Sequence, residues 1–269
     1  MENSYKIKQI WKSGYYRKSL INYMLKGFVI NNRRQITAII YNIIKNSVYR
    51  GSNDTQIFKT IIDILNVYPT IKKPEQLIER ACERVKTVIN LTNDYKINKY
   101  LDYGCGNGSI TQQIGKQFNL TSENVFGIDI HTEGNPNINY INDTCTNLLD
   151  SSMDLVTAFV SFHHITNLDK TMNEIHRVLR TGGILIIREH DFNGDELMRA
   201  YLDLIHIFVS IRDYSEYNQK LINEISYKSA LEWEKIMANY GFYLKQIIKY
   251  KGNNPQGLFH ACFVKNKIY

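Results

Sequence analysis

One short segment, residues 99–108, constrains the fold of this chain more than any other. An apolar run ends at Tyr103 and is followed at once by three glycines on alternate positions. These are Gly104, Gly106 and Gly108, and a helical pattern starts directly after them. Glycine lacks a Cβ, so the backbone can take positive φ and a ligand can approach its amides closely. The helix directs its first N–H groups and the positive end of its dipole at the same turn. A strand–turn–helix of this kind predicts a site for a nucleotide-type cofactor.

From residue 97 onward, short apolar strands alternate with helical patterns. This alternation predicts a parallel sheet wound with crossover helices. The predicted strands are 99–103, 125–128, 138–141, 155–160, 184–187, 242–248 and 258–265, and the predicted helices are 109–118, 170–179 and 231–240. Gly182 and Gly183 are expected to break the second of these helices. The last two strands are joined by a turn sequence at 252–255 and are expected to pair as an antiparallel hairpin.

The first 95 or so residues read as helices alone. Apolar residues recur there at helical spacing, and Asn53 and Pro74 stand where helices are expected to begin. A polar break at 92–94 precedes the first strand. We therefore expect two domains, a basic helical region over 1–95 that binds substrate or acts as a lid, and an α/β domain over 96–269.

Positive charge is concentrated in the first 50 residues. The whole chain has 33 lysines and arginines against 26 acids, a net charge of +7. Residues 1–50 hold ten of the cations and one acid, which leaves +9 there and −2 in the remainder. Tyrosines are interleaved with these cations and could stack on bases, so the segment predicts binding of a polyanion, with RNA the first choice. The alternative is that the cations lie on solvated helix faces and the aromatic rings belong to the core.

Several classes of protein are excluded by composition. The sequence has no apolar run of about 18 residues, as a membrane span requires. Its first residues lack the apolar segment of a secretory signal. The four cysteines are scattered without C-x-x-C spacing, so neither a zinc site nor a disulfide framework is expected. These features predict a cytoplasmic protein without a membrane anchor or a metal.

The glycine motif Leu101–Gly108 resembles the first motif of the class I S-adenosylmethionine-dependent methyltransferases, in particular the type 11/25 domains. A dinucleotide-binding loop would need a third glycine where Ser109 stands. The resemblance runs from about residue 97 to the C-terminus. It implies a Rossmann-like, seven-stranded, mostly parallel sheet with helices on both faces, here preceded by an all-α region. It also implies S-adenosyl-L-methionine as the cofactor.

The resemblance assigns cofactor contacts to the ends of three strands. Asp129 would accept the ribose hydroxyls, Ile130 would pack on the adenine, and Asp143 with the Thr144 backbone would read the adenine edge. The carboxylate of Asp102 suits the ammonium group of the methionine tail. The tail itself would run along the glycine loop. The remaining predicted cofactor residues are Gly104, Cys105, Gly106, Asn107, Gly108 and Ser161.

Ionisable residues follow the fourth and fifth predicted strands, where the family places the methyl acceptor. His163 and His164 are candidates for a general base, with a role in shaping the pocket as the alternative. At the fifth strand, four ionisable groups in a row are costly unless they are paired or solvated, so they contact substrate or form an ion network. The predicted catalytic residues are His163, His164, Arg188, Glu189 and Asp191.

The acceptor itself has several interpretations. The basic residues 1–50 favour RNA. The stretch 154–191, with its His-His pair and the 180–183 turn, resembles small-molecule enzymes of the ubiquinone-biosynthesis type. Protein methylation is a further possibility, and a non-catalytic methyltransferase-like partner subunit is a different class altogether. The intact glycine loop and the acids beside it argue against the last, because a scaffold has no need of them.

Overall fold

The computed structural model describes residues 4–26, 28–69, 74–130, 135–141, 146–214, 222–250, 252 and 254–266. Its helices are α1 (Lys6–Ile10), α2 (Gly14–Leu25), α3 (Arg33–Arg50), α4 (Asp54–Leu65), α5 (Pro74–Leu91), α6 (Ser109–Gln117), α7 (Leu168–Val178), α8 (Glu196–Tyr214) and α9 (Ala230–Asn239). Its strands are β1 (Tyr100–Tyr103), β2 (Val125–Ile128), β3 (Asn139–Ile141), β4 (Met153–Phe159), β5 (Leu179–His190), β6 (Phe242–Lys249) and β7 (Leu258–Lys265). None of the described helices combines the length and apolarity that crossing a membrane requires.

The chain forms two compact units, and each of them uses two separate stretches of sequence. The helical unit comprises residues 1–73 and 192–225, and the α/β unit comprises 74–191 and 226–269. Helix α8, which follows β5, packs on α1, α2 and α4. The sequence pattern places a single boundary near residue 95. The contacts instead place α5 with the sheet and the segment after β5 with the N-terminal helices.

The helical unit is organised around a buried carboxylate. Asp54 is 1% exposed and accepts hydrogen bonds from the Ser4 hydroxyl at 2.6 Å and from the amides of Lys6 and Ile7 at 2.7 and 3.0 Å. It therefore caps the start of α1 while standing at the start of α4, where Asn53 forms a capping box. The Lys6 ammonium also pairs with Asp203 of α8 at 2.8 Å. These bonds tie the first helix to two distant ones.

The α/β unit contains a seven-stranded sheet in the order β3-β2-β1-β4-β5-β7-β6. The first five strands are parallel, and β7 is antiparallel to both β5 and β6. The Rossmann-like, mostly parallel sheet with an all-α region before it is thus confirmed. Strand order reverses beside β1, since β2 lies on one side of it and β4 on the other. Ligands of open α/β sheets bind at the carboxyl ends of strands at such a reversal.

Both faces of the sheet are covered. One face packs on α7 and α9 through a core that includes Val156, Leu185 and Trp233. The other face packs on α5 and α6 through residues that include Val88 and Ile114. Because both faces are buried, the strands read as nearly continuous apolar runs. Polar residues therefore stand out where the strands end.

Strand β5 is longer than the sequence predicts. It begins at Leu179, directly after α7, and its pairing with β4 shifts between Met153 and Leu155. Gly182 and Gly183 lie inside this irregular strand and do not end a helix. A Cβ on Gly183 would come within 2.8 Å of the Arg180 carbonyl oxygen, so the bulge needs a glycine there.

Candidate active site

The glycine loop after β1 is fixed by backbone hydrogen bonds to the end of β2. The amides of Gly104 and Cys105 both donate to the Ile128 carbonyl, at 2.8 and 3.0 Å. The amide of Gly108 donates to the Cys105 carbonyl at 3.0 Å, which closes the turn at the start of α6. All three glycines of the motif have positive φ, between 56° and 76°. The alternate glycines of the sequence are therefore required by backbone conformation.

The loop is closed on two sides and open in the middle. A Cβ on Gly104 would lie 2.5 Å from the Ser161 Cβ, and one on Gly108 would lie 2.6 Å from the Ile138 Cδ1. A Cβ on Gly106 would meet no described atom within 4 Å. The backbone around Gly106 thus offers an open edge that a ligand could follow.

Asp129 and Ile130 flank this open edge. The Asp129 carboxylate, at the end of β2, accepts a 2.6 Å hydrogen bond from the Gly106 amide and is half-buried. The next residue, Ile130, is 74% exposed. A carboxylate that reaches the surface beside an uncovered apolar side chain suits a ribose and an aromatic base, so this part of the predicted site fits the cofactor. The other predicted adenine contacts, Asp143 and Thr144, lie outside the described residues.

Asp102 lies beneath the loop and not on its open edge. It is 2% exposed, and its two oxygens accept hydrogen bonds from the hydroxyls of Thr111 on α6 and Thr157 on β4, each at 2.6 Å. Burial raises its pKa, and the nearby Asp129 charge raises it further. Both acids therefore lie close to the same loop, with Asp102 bracing α6 against the sheet. Its contact with an ammonium group stays a prediction.

Two other residues of the motif face inward or cap the helix. Cys105 packs against Gly127, since a Cβ on that glycine would come 2.7 Å from the Cys105 sulfur. Burial, together with the carboxylates of Asp102 and Asp129, raises the pKa of the Cys105 thiol. The Asn107 side chain accepts a hydrogen bond from the Ser109 amide at 3.1 Å, so it caps the first turn of α6.

The turn after β4 lies directly against the glycine loop. Ser161 donates from its hydroxyl to the Tyr103 carbonyl at 3.1 Å, and its side chain fills the space beside Gly104. Val160, just before it, has φ of 56°, which is unusual for a β-branched residue. Strain of this kind is found where neighbouring structure fixes the backbone, often at functional sites.

Glu189 organises this turn from the neighbouring strand β5. One carboxylate oxygen accepts hydrogen bonds from the amides of Ser161 and Phe162 at 3.1 and 2.8 Å. The other lies 2.6 Å from Nδ1 of His163. Both Glu189 and His163 are 1% exposed. Burial raises the pKa of Glu189, while the nearby histidines His164 and His190 lower it. The sequence places Glu189 and His163 at different strand ends, and the structure brings them together.

A cluster of rings surrounds His163. The His164 ring lies 4.2 Å away between centroids, the His190 ring 5.1 Å away and the Tyr227 ring 5.7 Å away. His164 is exposed, whereas the other three are buried. The amide of Ser226 donates to the His163 carbonyl at 2.9 Å, which holds Tyr227 in this position. Sequence reasoning missed Tyr227, because it follows a long segment of the other unit and belongs to no motif.

The remaining predicted catalytic residues lie elsewhere. Asp191 accepts a hydrogen bond from the Ala230 amide at 2.8 Å and pairs with the Lys249 ammonium at 2.7 Å, so it anchors α9 to the end of the sheet. Arg188 stands opposite His260 in the β5–β7 pairing, on the α5 face of the sheet. Neither has a described contact with the His163 cluster.

A family model described as a methyltransferase domain matches residues 101–187, from β1 through most of β5. The match includes the glycine loop, Asp129 and the turn that carries His163. Residues 101–187 are thus similar to the methyltransferase domain family. The match covers the carboxyl ends of β1, β2 and β4, whereas Glu189 at the end of β5 lies just beyond it.

Curated relatives resemble the same part of the chain. The ubiquinone/menaquinone biosynthesis C-methyltransferase UbiE of Campylobacter jejuni is 29% identical over 151 residues, which is 48% of this chain and 63% of the relative. The mitochondrial arginine-hydroxylase NDUFAF5 of Rattus norvegicus is 28% identical over 141 residues, 48% of this chain and 38% of the relative. The chain therefore spans less than two thirds of these relatives.

The fold is shared with solved structures. The 1,6-didemethyltoxoflavin-N1-methyltransferase of Burkholderia thailandensis, solved with its substrate and S-adenosylhomocysteine, superposes with a TM-score of 0.50. It is 11% identical, and the superposition covers 72% of this chain and 82% of that one. At this identity the likeness extends to the fold alone.

Proposed function

We propose that this protein transfers the methyl group of S-adenosylmethionine to a small-molecule acceptor held at the carboxyl ends of β4 and β5. One observation carries the proposal. His163, on the turn that packs against the glycine loop, forms a buried imidazole–carboxylate pair with Glu189 of β5. The resemblance to UbiE, a C-methyltransferase of quinone biosynthesis by its name, supports the same class of acceptor.

The loop residues would hold the cofactor through backbone and carboxylate contacts. The open backbone at Gly106 suits the methionine tail, and Asp129 with Ile130 suits the nucleoside. Asp143 and Thr144 are proposed for the adenine edge. When bound, S-adenosylmethionine supplies a methyl group activated on a sulfonium. The domain's own contribution is alignment, which can provide roughly 7–11 kcal/mol of a barrier in favourable cases.

His163 is the proposed base for an acceptor that must lose a proton. Glu189 fixes Nδ1 of the ring at 2.6 Å, so a proton taken from the acceptor would go to Nε2. A carboxylate in this position orients the imidazole and stabilises the imidazolium that forms. The surrounding rings of His164, His190 and Tyr227 suit a flat, partly apolar acceptor.

RNA as the acceptor receives less support from the helical unit. The Trp11 and Tyr41 rings lie 5.3 Å apart, with the Arg17 guanidinium over both. Tyr16 packs on Tyr201 in the same way, with centroids 5.3 Å apart. These contacts occupy part of the surface of each ring and leave less of it for bases. What favours RNA is that most cations of the segment are exposed on the helices.

The test is transfer of labelled methyl from S-adenosylmethionine to separate quinone, metabolite, protein and RNA fractions. We expect label in a small-molecule fraction. It should be lost in Asp129→Ala and kept in Glu123→Ala, an exposed acid at the other end of β2. Label confined to RNA would overturn the small-molecule proposal. Calorimetric binding of the cofactor without any labelled product would point to other chemistry or to a partner subunit.

A further inference from the structure

A second polar cluster lies on the α5 face of the sheet, away from His163. His260 of β7 is fully buried, and Arg188 of β5 is its cross-strand neighbour. The ring of Phe159 meets the His260 ring edge-on at 6.0 Å, and the Arg84 guanidinium lies over the Phe159 ring, 5.9 Å from its centroid. The proposed methyl transfer and the proposed cofactor binding do not use this cluster.

The His260 ring has an unsatisfied hydrogen-bonding capacity. Nδ1 of His260 is 2.7 Å from the Tyr250 hydroxyl, whereas Nε2 is buried and has no hydrogen-bond partner among the residues that the structure describes. A buried polar atom left in this way is destabilising, so such atoms are rare. The Tyr250 hydroxyl is also hydrogen-bonded to Arg188 and Thr87. When Tyr250 donates to Nδ1, Nε2 carries the ring proton and is a donor.

The charges around His260 favour an anion. Burial and the positive charges of Arg188 and Arg84 lower its pKa to about 3, so the ring is neutral and both guanidiniums lie close to it. Two of the described acids act on the cluster. Asp102, which interacts with Arg84, is already bonded to two threonines, and the exposed Glu83 acts on Tyr250.

We infer that Arg84, Arg188 and His260 form a binding site for a single oxyanion group, a carboxylate or a phosphate. Two guanidiniums would supply charge-assisted hydrogen bonds, and the Nε2–H of His260 would supply a third donor from below. Arginine suits this role because its planar group matches the geometry of both anions. The oxyanion is either an acidic group of the methyl acceptor or a free anion.

The experiment follows the His260 ring directly. In protein labelled with ¹⁵N-histidine, sodium phosphate and sodium acetate are titrated at pH 7 and constant ionic strength. We expect a saturable shift of the His260 Nε2 resonance through the millimolar range. Arg188→Gln and Arg84→Gln should each weaken the apparent affinity by about tenfold, the effect of one charged hydrogen bond.

The matched control is Arg180→Gln, at the other end of β5, where Arg180 pairs with Asp154 at 2.5 Å. This variant should bind the anion as the parent protein does. An unmoved His260 resonance, or an equal loss of affinity in Arg180→Gln, would overturn the inference and leave a buried water as the partner of Nε2.

A second experiment distinguishes the two sources of the anion. It measures methyl transfer to acidic and to neutral metabolite fractions. If the acceptor carries the oxyanion, Arg188→Gln raises KM for acidic acceptors alone. If transfer is unchanged while phosphate binding is weakened, the site takes a free anion. The resonance titration needs no methyl transfer, so it stands even where the proposed activity fails.

Discussion

The two edges of the α/β unit that form the site are built in different ways. The cofactor edge, after β1 and β2, is a backbone structure whose glycines lie within five consecutive residues, and Asp129 is its main distant contribution. The acceptor edge, after β4 and β5, depends on side chains: His163, Glu189 and Tyr227 come from three separate stretches of the chain. A short sequence motif can therefore predict the first edge, whereas the residues of the second edge come together only when the sheet has formed.

The largest expected effect is on the acceptor edge. In Glu189→Gln, the amide no longer offers His163 a charged acceptor, and the orientation of the ring is lost. We expect kcat to fall by about 10²- to 10⁴-fold, the contribution of a positioned base, with cofactor affinity unchanged. Asp191→Asn, two residues along the same strand end, should leave kcat near the parent value. An equal fall of kcat in both variants would mean that Glu189 has no role in catalysis beyond that of Asp191.

The pH profile of the same variant separates a base from a merely structural residue. If Glu189 acts through His163, Glu189→Gln should shift the acidic limb of the kcat profile as well as lower the rate. A variant with lower kcat and an unmoved profile would indicate that Glu189 only holds the turn.

The next effect is on the cofactor edge. Gly104→Ala puts a Cβ 2.5 Å from the Ser161 side chain, whereas Gly106→Ala meets nothing within 4 Å. Both carry the cost of positive φ, about 1–2 kcal/mol. Gly104→Ala should lose a further 1–3 kcal/mol or so in urea unfolding through the clash. Gly106→Ala should lose only the cost of positive φ in unfolding and should also lose cofactor affinity in calorimetry. Equal stabilities would show that the loop is not packed on Ser161.

A third prediction concerns the opposite face of β5. The pKa of His260 is lowered to about 3 in the folded chain, while an unfolded histidine binds its proton near 6.5. The unfolded state therefore takes up the proton first as the pH falls. His260 contributes its full stability above pH 6.5 and loses it toward pH 3, by up to about 1.4 kcal/mol per pH unit.

Urea unfolding in buffers without oxyanions, at pH 7 and pH 5, measures how much the free energy of unfolding changes with pH. This change should be smaller in His260→Gln. An equal change in the two proteins would mean that His260 titrates normally. Phosphate should lessen the loss of stability at pH 5 if the anion site exists.

The smallest effect is expected in the helical unit. Tyr49 is 93% exposed, so Tyr49→Ala should change the free energy of unfolding by less than about 0.5 kcal/mol. Tyr41 packs on Trp11 and Arg17, and Tyr41→Ala should cost about 1–2 kcal/mol. If Tyr49→Ala nevertheless reduced methyl transfer to RNA, the basic segment would regain its place as an RNA-binding surface.

Much of the α/β unit could be predicted because its signals are local. The apolar runs and glycines at 99–108 identify β1 and its loop, and Asp129 follows because a parallel strand end is the place for such an acid. The glycine pair at 182–183 predicts a helix break, whereas the structure has a bulge there, because a glycine pair suits both settings. Tyr227 and His260 had no local signal at all. Their neighbours come from distant segments, and only the tertiary structure defines them.

The sequence by itself determined where most of the strands and helices form and which loop is proposed for the cofactor, since periodicity and positive-φ glycines act over a few residues. The tertiary structure alone decided which ionisable residues meet. Register placed Glu189 beside His163 and Arg188 beside His260, although Arg188 and Glu189 are adjacent in sequence. Successive side chains of a strand point to opposite faces, so one residue of difference assigns the two to different chemistry.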